Sequence, residues 1–247
     1  MSETESVTAA ILVIGDEILS GRTKDRNIGH IADHLTAIGI DLKEVRIVAD
    51  DEADIVAAVN ALRARYDHVF TTGGIGPTHD DITADAIARA FGVPIDVDPR
   101  AVAVMKPYYD GKGIELTEAR LRMARIPEGA ELIANAVSAA PGFRIGNVVV
   151  MAGVPSIMQM MLAEICPRLR TGPRLYSRAI RVLHPEGEIA NMFAQHQREF
   201  SDVIMGSYPF LNDGKPCSEL VLRARSEQRL SDAEALLRRK LADMGLL

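Results

Sequence analysis

The chain has 247 residues, of which 47% are hydrophobic, and its formal net charge is −6. A chain of this length can bury a sizeable core, and none of its apolar stretches is long and uninterrupted enough to span a membrane. The net negative charge, and the lack of Lys/Arg clusters interleaved with aromatic residues, exclude nucleic acid as an expected partner.

The chain begins with acidic and hydroxyl residues rather than with the basic segment of a secretory signal peptide. A cytoplasmic protein without membrane contact is therefore expected. The two cysteines, Cys166 and Cys217, lack the spacing of metal ligands, so free reduced thiols are expected rather than a disulfide.

Hydrophobic periodicity alternates between strands and helices over the first 95 residues. Strands are predicted at residues 9–14, 42–48 and 68–72, and each is followed by a segment with apolar residues at helical spacing. Such alternation predicts a mostly parallel sheet with helices on both faces. Ligands of such sheets bind at the carboxyl ends of the strands.

Residues 71–83 read Thr-Thr-Gly-Gly-Ile-Gly-Pro-Thr-His-Asp-Asp-Ile-Thr and lie where the third strand turns into a helix. Gly73, Gly74 and Gly76 allow close approach of the backbone to a ligand, and the helix start offers unpaired N–H groups and a partial positive charge. These features predict that the loop binds a phosphate. The alternative interpretation is a glycine turn in which Asp80 or Asp81 caps the helix.

The second half of the chain predicts a change of architecture. Two helices are expected over residues 99–125, followed by three short strands between residues 132 and 151 and by one more helix. A Pro/Gly/basic stretch at residues 167–173 is typical of a linker. Beyond it the pattern predicts a small β-α-β-β-α domain, with Cys217 placed before its last strand. The expected domains are residues 1–170 and 174–247.

Three further segments accompany the glycine loop. Residues 14–27 read Ile-Gly-Asp-Glu-Ile-Leu-Ser-Gly-Arg-Thr-Lys-Asp-Arg-Asn, residues 140–143 read Ala-Pro-Gly-Phe, and residues 152–156 read Ala-Gly-Val-Pro-Ser. Together with the loop they resemble, in the same order, the motifs of the competence/damage-inducible family CinA, whose N-terminal domain belongs to the MoaB/Mog-like molybdopterin-binding superfamily. The resemblance implies a three-layer α/β/α domain with a mostly parallel sheet, followed by the small β-α-β-β-α domain.

The resemblance also implies a set of site residues at the strand ends. The implied ligand- or phosphate-binding residues are Gly15, Asp16, Asn27, Asp51, Thr72, Gly73, Gly74, Gly76, Pro77, Thr78, Thr83, Gly142 and Gly153. Helix capping is the alternative role for Asp51, and also for Asp25 beside Asn27. His79 falls at a position that the family leaves variable and is expected to be exposed.

Glu17, Asp80 and Asp81 are the candidate catalytic residues and metal ligands. Carboxylates from two strand-end loops suit Mg²⁺ or another divalent cation, which typically uses one or two carboxylates together with phosphates and water. Such a cation would neutralise pyrophosphate oxygens and could lower the pKa of an attacking water.

The resemblance leaves three functions open. The first is metal-dependent hydrolysis of the pyrophosphate of an ADP-ribose-like dinucleotide, the activity associated with CinA N-terminal domains. The second is molybdopterin binding or adenylyl transfer, and the third is a non-catalytic nucleotide-binding or assembly module. The Gly-Pro-Thr-His-Asp-Asp form of the loop is closer to the CinA group and favours the first.

The resemblance further implies a homodimer, with the small domain positioning the cleft or mediating self-association. The sequence ends at Leu247, before the amidohydrolase domain that many family members carry, so deamidation of nicotinamide mononucleotide is not expected.

Overall fold

A computed structural model describes residues 6–247. The acidic start of the chain, on which the expectation about a signal peptide rests, lies largely outside the described residues. The chain divides into two compact units, and the division falls between Gly172 and Pro173. None of the helices within the described range is long and apolar enough to cross a membrane.

The first unit is built on a six-stranded sheet. Its strands are β1 (Val7–Ile14), β2 (Ile40–Val48), β3 (His68–Thr72), β6 (Glu131–Ile133), β7 (Gly142–Ile145) and β8 (Val148–Met151), and a separate antiparallel pair is formed by β4 (Ile95–Val97) and β5 (Arg125–Pro127). The order in the sheet is β2-β1-β3-β8-β7-β6. The first four strands of this order are parallel, and β7 runs antiparallel to both of its neighbours.

Within the described residues of the first unit, seven helices accompany this sheet. They are α1 (Asp16–Leu19), α2 (Asn27–Ala37), α3 (Glu52–Arg63), α4 (Thr83–Phe91), α5 (Pro99–Gly111), α6 (Glu118–Leu121) and α7 (Pro155–Ile165), with short 3₁₀ turns at Arg122–Ala124 and Cys166–Arg168. The pair β4–β5 was not predicted, because three-residue strands are too short to show a period in the sequence.

Two hydrophobic clusters on opposite faces of the sheet make the unit three layers thick. Successive side chains of a strand point to opposite faces. In β1, Leu12 and Ile14 pack with α3, α4 and α5, whereas Ile11 and Val13 pack with α2 and α7. Full burial of side chains such as these contributes about 1.5–3 kcal/mol each. The predicted fold class, a mostly parallel α/β/α sheet followed by a smaller α+β unit, is confirmed.

The parallel strands deliver four loops to one edge of the sheet. Residue Ile14 at the end of β1 pairs with Val48, and Thr72 at the end of β3 pairs with Met151. The segments that follow β1, β2, β3 and β8 therefore start side by side. This edge also carries the motif before β7, because the antiparallel β7 begins beside the end of β8.

The second unit has five elements, β9 (Tyr176–Val182), α8 (Glu186–Glu199), β10 (Ile204–Asn212), β11 (Lys215–Ala224) and α9 (Glu227–Asp243). Its antiparallel sheet has the order β10-β11-β9. Leu220 and Leu222 of β11 pack with both helices. Cys217 lies inside β11 and not before it, because the strand begins at Lys215. Both Cys166 and Cys217 are buried free thiols.

Candidate ligand-binding cleft

A cavity of about 550 Å³ opens at the edge of the sheet where the four loops meet. We call it the main cavity. Its lining residues are Glu17, Thr23, Gly73, Gly74, Ile75, Gly76, Pro77, Asp81, Met123, Ser138, Ala140, Pro141, Ala152, Gly153, Val154, Pro155, Ile157 and Met161. The glycine loop and the segment after β8 thus face the same space, as ligand sites of open α/β sheets do.

Gly73 and Gly74 are required by the packing of the protein itself. Gly73 has φ +105°, and a Cβ there would lie 2.1 Å from the carbonyl oxygen of Ile14. Gly74 has φ +66°, and its Cβ would lie 2.1 Å from the hydroxyl of Thr83. That hydroxyl is buried and donates to the Gly73 carbonyl over 2.9 Å. The predicted loop residue Thr83 therefore holds the loop in shape and does not line the cavity.

Three consecutive backbone amides of this loop are free. The N–H groups of Gly74, Ile75 and Gly76 donate to no acceptor within the described part of the chain. By contrast, the Gly73 N–H donates to the Met151 carbonyl, and the Thr83 N–H donates to the Gly74 carbonyl. All three residues line the main cavity. Successive unpaired amides in a glycine-rich turn before a helix form a concave site for an anion.

Asp81 closes the end of the loop and does not cap α4. Its Oδ2 accepts hydrogen bonds from Thr78 N–H, at 2.8 Å, and from the Thr78 hydroxyl, at 2.5 Å. The helix begins after Ile82 without any side-chain cap, so the capping alternative for Asp80 and Asp81 is wrong. The Asp80 side chain is 66% exposed, and that of His79 is 99% exposed, as expected.

Acidic side chains gather at the ends of β1 and β2. Asp50 Oδ2 accepts a hydrogen bond from Asp16 N–H at 3.0 Å. Burial raises the pKa of Asp50, and the charges of Asp16, Glu17 and Asp80 raise it further, against the lowering effect of the Asp16 N–H. The neighbouring Asp51 caps α3 by accepting from Asp54 N–H at 3.0 Å. Asp51 thus has the capping role, and Asp50 makes the contact with the site loop.

A second cavity of about 480 Å³ adjoins the main one and shares Glu17, Thr23, Gly153 and Pro155 with it. We call it the basic cavity, because its other lining residues are Ile18, Arg22, Lys24, Asp25, Arg26 and Asn27. Asp25 accepts from the N–H groups of Asn27 and Ile28, so it caps α2.

The predicted site residues fall into three groups. Glu17, Gly73, Gly74, Gly76, Pro77, Asp81 and Gly153 line the main cavity. Asn27 lines the basic cavity. Gly15, Asp16, Asp51, Thr72, Thr78, Asp80, Thr83 and Gly142 line neither. At Gly142 a Cβ would lie 2.5 Å from the Val150 carbonyl, so strand packing demands glycine there, and its neighbours Ala140 and Pro141 form the wall instead.

The carboxylates of the main cavity suit a cation that a bound ligand would also coordinate. Within residues 6–247, no group of three or more His, Cys, Asp or Glu side chains is arranged to hold a metal ion. Among the residues of the main cavity, Glu17 and Asp81 supply the carboxylates. Mg²⁺ often binds through one or two carboxylates while substrate phosphates and water complete its shell. These two residues suit that kind of site and not a preformed metal centre.

Sequence reasoning missed the positive charge around the cleft. Arg22, Lys24 and Arg26 lie inside the segment at residues 14–27 that resembles a family motif. Three basic residues within five positions were a signal that could have been used. Arg122 was predicted only as part of a helix, yet its Nη2 lies 3.4 Å from the Asp81 carbonyl. Its Nε is buried without a partner in the described residues.

Comparison with known proteins shows which families the two parts of the chain match. Residues 10–171 match the family described as "Probable molybdopterin binding domain", and residues 174–246 match the family described as "FAD synthase, middle domain". The fold and the cleft at the strand ends thus define a domain of the molybdopterin-binding type.

The relatives are more specific. The crystal structure of CinA, a protein of unknown function from Thermoplasma acidophilum, is similar to this chain, with 34% sequence identity and a TM-score of 0.61. The match covers 66% of this chain and 99% of that chain. A CinA-like protein from Desulfosudis oleivorans is 40% identical over 75% of this chain, which spans only 48% of that relative. A protein from Aeropyrum pernix is 34% identical over 98% of this chain and 96% of its own length. This chain belongs to the CinA-like members of the molybdopterin-binding domain family.

Proposed function

We propose that the main cavity binds the pyrophosphate of an ADP-ribose-like dinucleotide and that the protein hydrolyses it in a cation-dependent reaction. The observation that carries the proposal is the run of three unpaired amides at Gly74, Ile75 and Gly76, on a loop that lines the cavity and precedes α4. Amides fixed by the surrounding fold stabilise negative charge without reorganising during the reaction. The Arg122 guanidinium beside Asp81 adds positive charge to the same loop.

Two observations support a dinucleotide over a mononucleotide. The main and basic cavities, of about 550 and 480 Å³, adjoin along a shared wall, which suits a ligand with two arms. The small unit matches a family named for FAD synthase, and FAD is itself a dinucleotide joined by pyrophosphate.

Glu17 and Asp81 would hold the cation together with the ligand's phosphate oxygens. Such a cation offsets the charge of the pyrophosphate and activates water when it is bound. The Thr78 bonds fix Oδ2 of Asp81, and its Oδ1 accepts no hydrogen bond from the described residues. The chain itself therefore orients the phosphates through the loop amides and keeps one carboxylate oxygen available.

Molybdopterin binding is the second candidate, and the description of the matching family favours it. Molybdopterin carries a phosphate that the same amides could hold. Binding without turnover, by a nucleotide-binding or assembly module, is the third. All three candidates use the glycine loop, so they differ in which ligand stabilises the protein and in whether it is consumed.

A thermal-shift screen separates these candidates. ADP-ribose, AMP, ATP and molybdopterin are compared with and without Mg²⁺, because a ligand that binds only the folded state raises the midpoint of unfolding. We expect the largest shift with ADP-ribose and Mg²⁺, together with release of AMP and ribose 5-phosphate. A shift with molybdopterin alone supports the second candidate. A nucleotide shift without AMP release supports the third, and the absence of any nucleotide shift contradicts the proposal.

A further inference from the structure

The basic cavity contains more positive charge than the chain itself balances. Arg22, Lys24 and Arg26 are exposed, and none of them makes an ion pair or a side-chain hydrogen bond within the part of the chain that the structure describes. The two carboxylates in the lining belong to Glu17 and Asp25. Asp25 accepts two backbone N–H groups at the start of α2 and makes no ion pair with its basic neighbours among the described residues.

The segment that carries these cations is held at both ends. Thr23 N–H donates to the Glu17 carbonyl at 2.9 Å, just after α1. Asp25 ties the other end to the first turn of α2 through two amides, at 3.1 and 2.8 Å. A segment held in this way presents its basic residues to a ligand at a lower cost in conformational entropy than a free loop does.

Asn27 offers an unpaired hydrogen-bond acceptor in the same cavity. Its residue surface is only 5% exposed, and its Nδ2 donates to the Gly153 carbonyl, which fixes the orientation of the amide. Its Oδ1 is buried and has no hydrogen-bond partner among the described residues. An oxygen acceptor calls for a donor from a ligand, such as a sugar hydroxyl, and not for an anion.

We infer that the basic cavity binds a phosphorylated sugar, with a hydroxyl donated to Asn27 and a phosphomonoester placed among Arg22, Lys24 and Arg26. Charge-assisted hydrogen bonds from arginine and lysine are the usual means of holding such a group. This inference rests on the proposed function, because the sugar is taken to be one arm of the pyrophosphate ligand whose other parts lie in the main cavity. The preferred ligand then carries a third phosphate besides the pyrophosphate.

The test is titration calorimetry at low ionic strength with ADP-ribose and with two phosphorylated forms of it. One form carries the extra phosphate on the adenosine ribose, at the 2′ position, and the other on the terminal ribose, at the 1″ position. We expect one of the two to bind at least tenfold more tightly than ADP-ribose, and the preferred form tells which arm enters the basic cavity. The double variant Lys24→Gln/Arg26→Gln should lose this preference.

A matched control removes the same charge from elsewhere. Lys215→Gln/Arg239→Gln changes two exposed residues of the second unit and should keep the preference, which separates a local site from the effect of net charge. Equal affinity of the wild type for all three ligands overturns this inference alone, as does a preference that survives in the Lys24/Arg26 variant. Failure of all three ligands to bind overturns both this inference and the proposed function.

Discussion

The Nδ2 amide of Asn27 donates to the carbonyl oxygen of Gly153 over 2.8 Å and so joins residues that are 126 positions apart in the sequence. Asn27 opens α2, and Gly153 follows β8. A Cβ added at Gly153 would lie 3.3 Å from the Cα of Gly73, so the two glycines are close neighbours. This bond connects the basic cavity to the wall of the main cavity.

Replacement of Asn27 by Ala should therefore destabilise the protein. Loss of a buried hydrogen-bonded partner costs about 1–3 kcal/mol in free energy of unfolding. Urea unfolding measures this, with Asn60→Ala as a control, since Asn60 only accepts from Arg63 on the same helix. Equal losses in free energy of unfolding in the two variants would show that the Asn27–Gly153 hydrogen bond stabilises the protein no more than the local bond of Asn60 does.

Gly74→Ala should destabilise the folded protein far more than Gly92→Ala does. Both glycines have φ +66°, so the backbone strain of a side chain is matched. A Cβ at Gly74 meets the buried Thr83 hydroxyl at 2.1 Å, whereas one at Gly92 has nothing within 4 Å. Strain alone costs about 1–3 kcal/mol. Thermal unfolding of the two variants isolates the steric part, and similar midpoints would contradict the packing described for Gly74.

Gly76→Ala should lower activity with little loss of stability. Gly76 does not have a positive φ, and its Cβ would meet the Asp81 carboxylate at 2.6 Å, a group that can move aside. Displacing that carboxylate removes a proposed cation ligand and breaks its bonds to Thr78. The check is ADP-ribose turnover beside the unfolding midpoint. Full turnover in the folded variant would show that the position of Asp81 does not matter.

Asp81→Asn should make turnover fall by orders of magnitude and abolish its response to Mg²⁺, Mn²⁺ or Co²⁺. An amide oxygen can still accept from Thr78, and partly exposed substitutions of this kind usually change stability by about 0.5 kcal/mol. The exposed Asp110→Asn is the charge-matched control, since Asp110 only pairs with Lys106. Turnover that survives both excess chelator and Asp81→Asn rules out the cation role.

Asp50→Asn should become more stable relative to the wild type as the pH rises. The pKa of Asp50 is raised above its ordinary value of 3.8, mainly by burial, so the folded protein holds this proton more tightly than the unfolded chain does. Ionisation therefore costs stability as the pH rises from about 3.8 through the raised folded-state value, and the cost persists at neutral pH. Urea unfolding over a pH series measures the difference in free energy of unfolding between the variant and the wild type. An advantage of the variant that shrinks as the pH rises would contradict the prediction.

Self-association should involve the open face of the second sheet. Both helices of that unit pack on one face, while Ile204 and Tyr208 on the other are 63% and 48% exposed. Pro209 lacks an N–H and disfavours pairing along the β10 edge. We expect a homodimer by light scattering that Tyr208→Glu weakens and Leu211→Glu, an exposed change on the opposite side of β10, does not. A wild-type monomer at micromolar concentration would contradict this.

The sequence by itself was sufficient for the local elements of the fold. Period and caps depend on neighbouring residues only, so β3 was predicted with its bounds. Capping of α3 was foreseen for Asp51 as the alternative to its predicted ligand-binding role. The short pair β4–β5 was missed, because its strands are defined by each other and not by their own pattern.

The sequence also determined which loops line the candidate site, because parallel strands bring their carboxyl ends to one edge. Only the tertiary structure decided what each residue does there. Gly73 and Gly74 are required by Ile14 and Thr83, which are distant in sequence or buried beneath the loop, and Asp81 binds Thr78 instead of capping α4. Contacts such as that of Gly73 with Ile14 join segments that only folding brings together, so no local pattern encodes them.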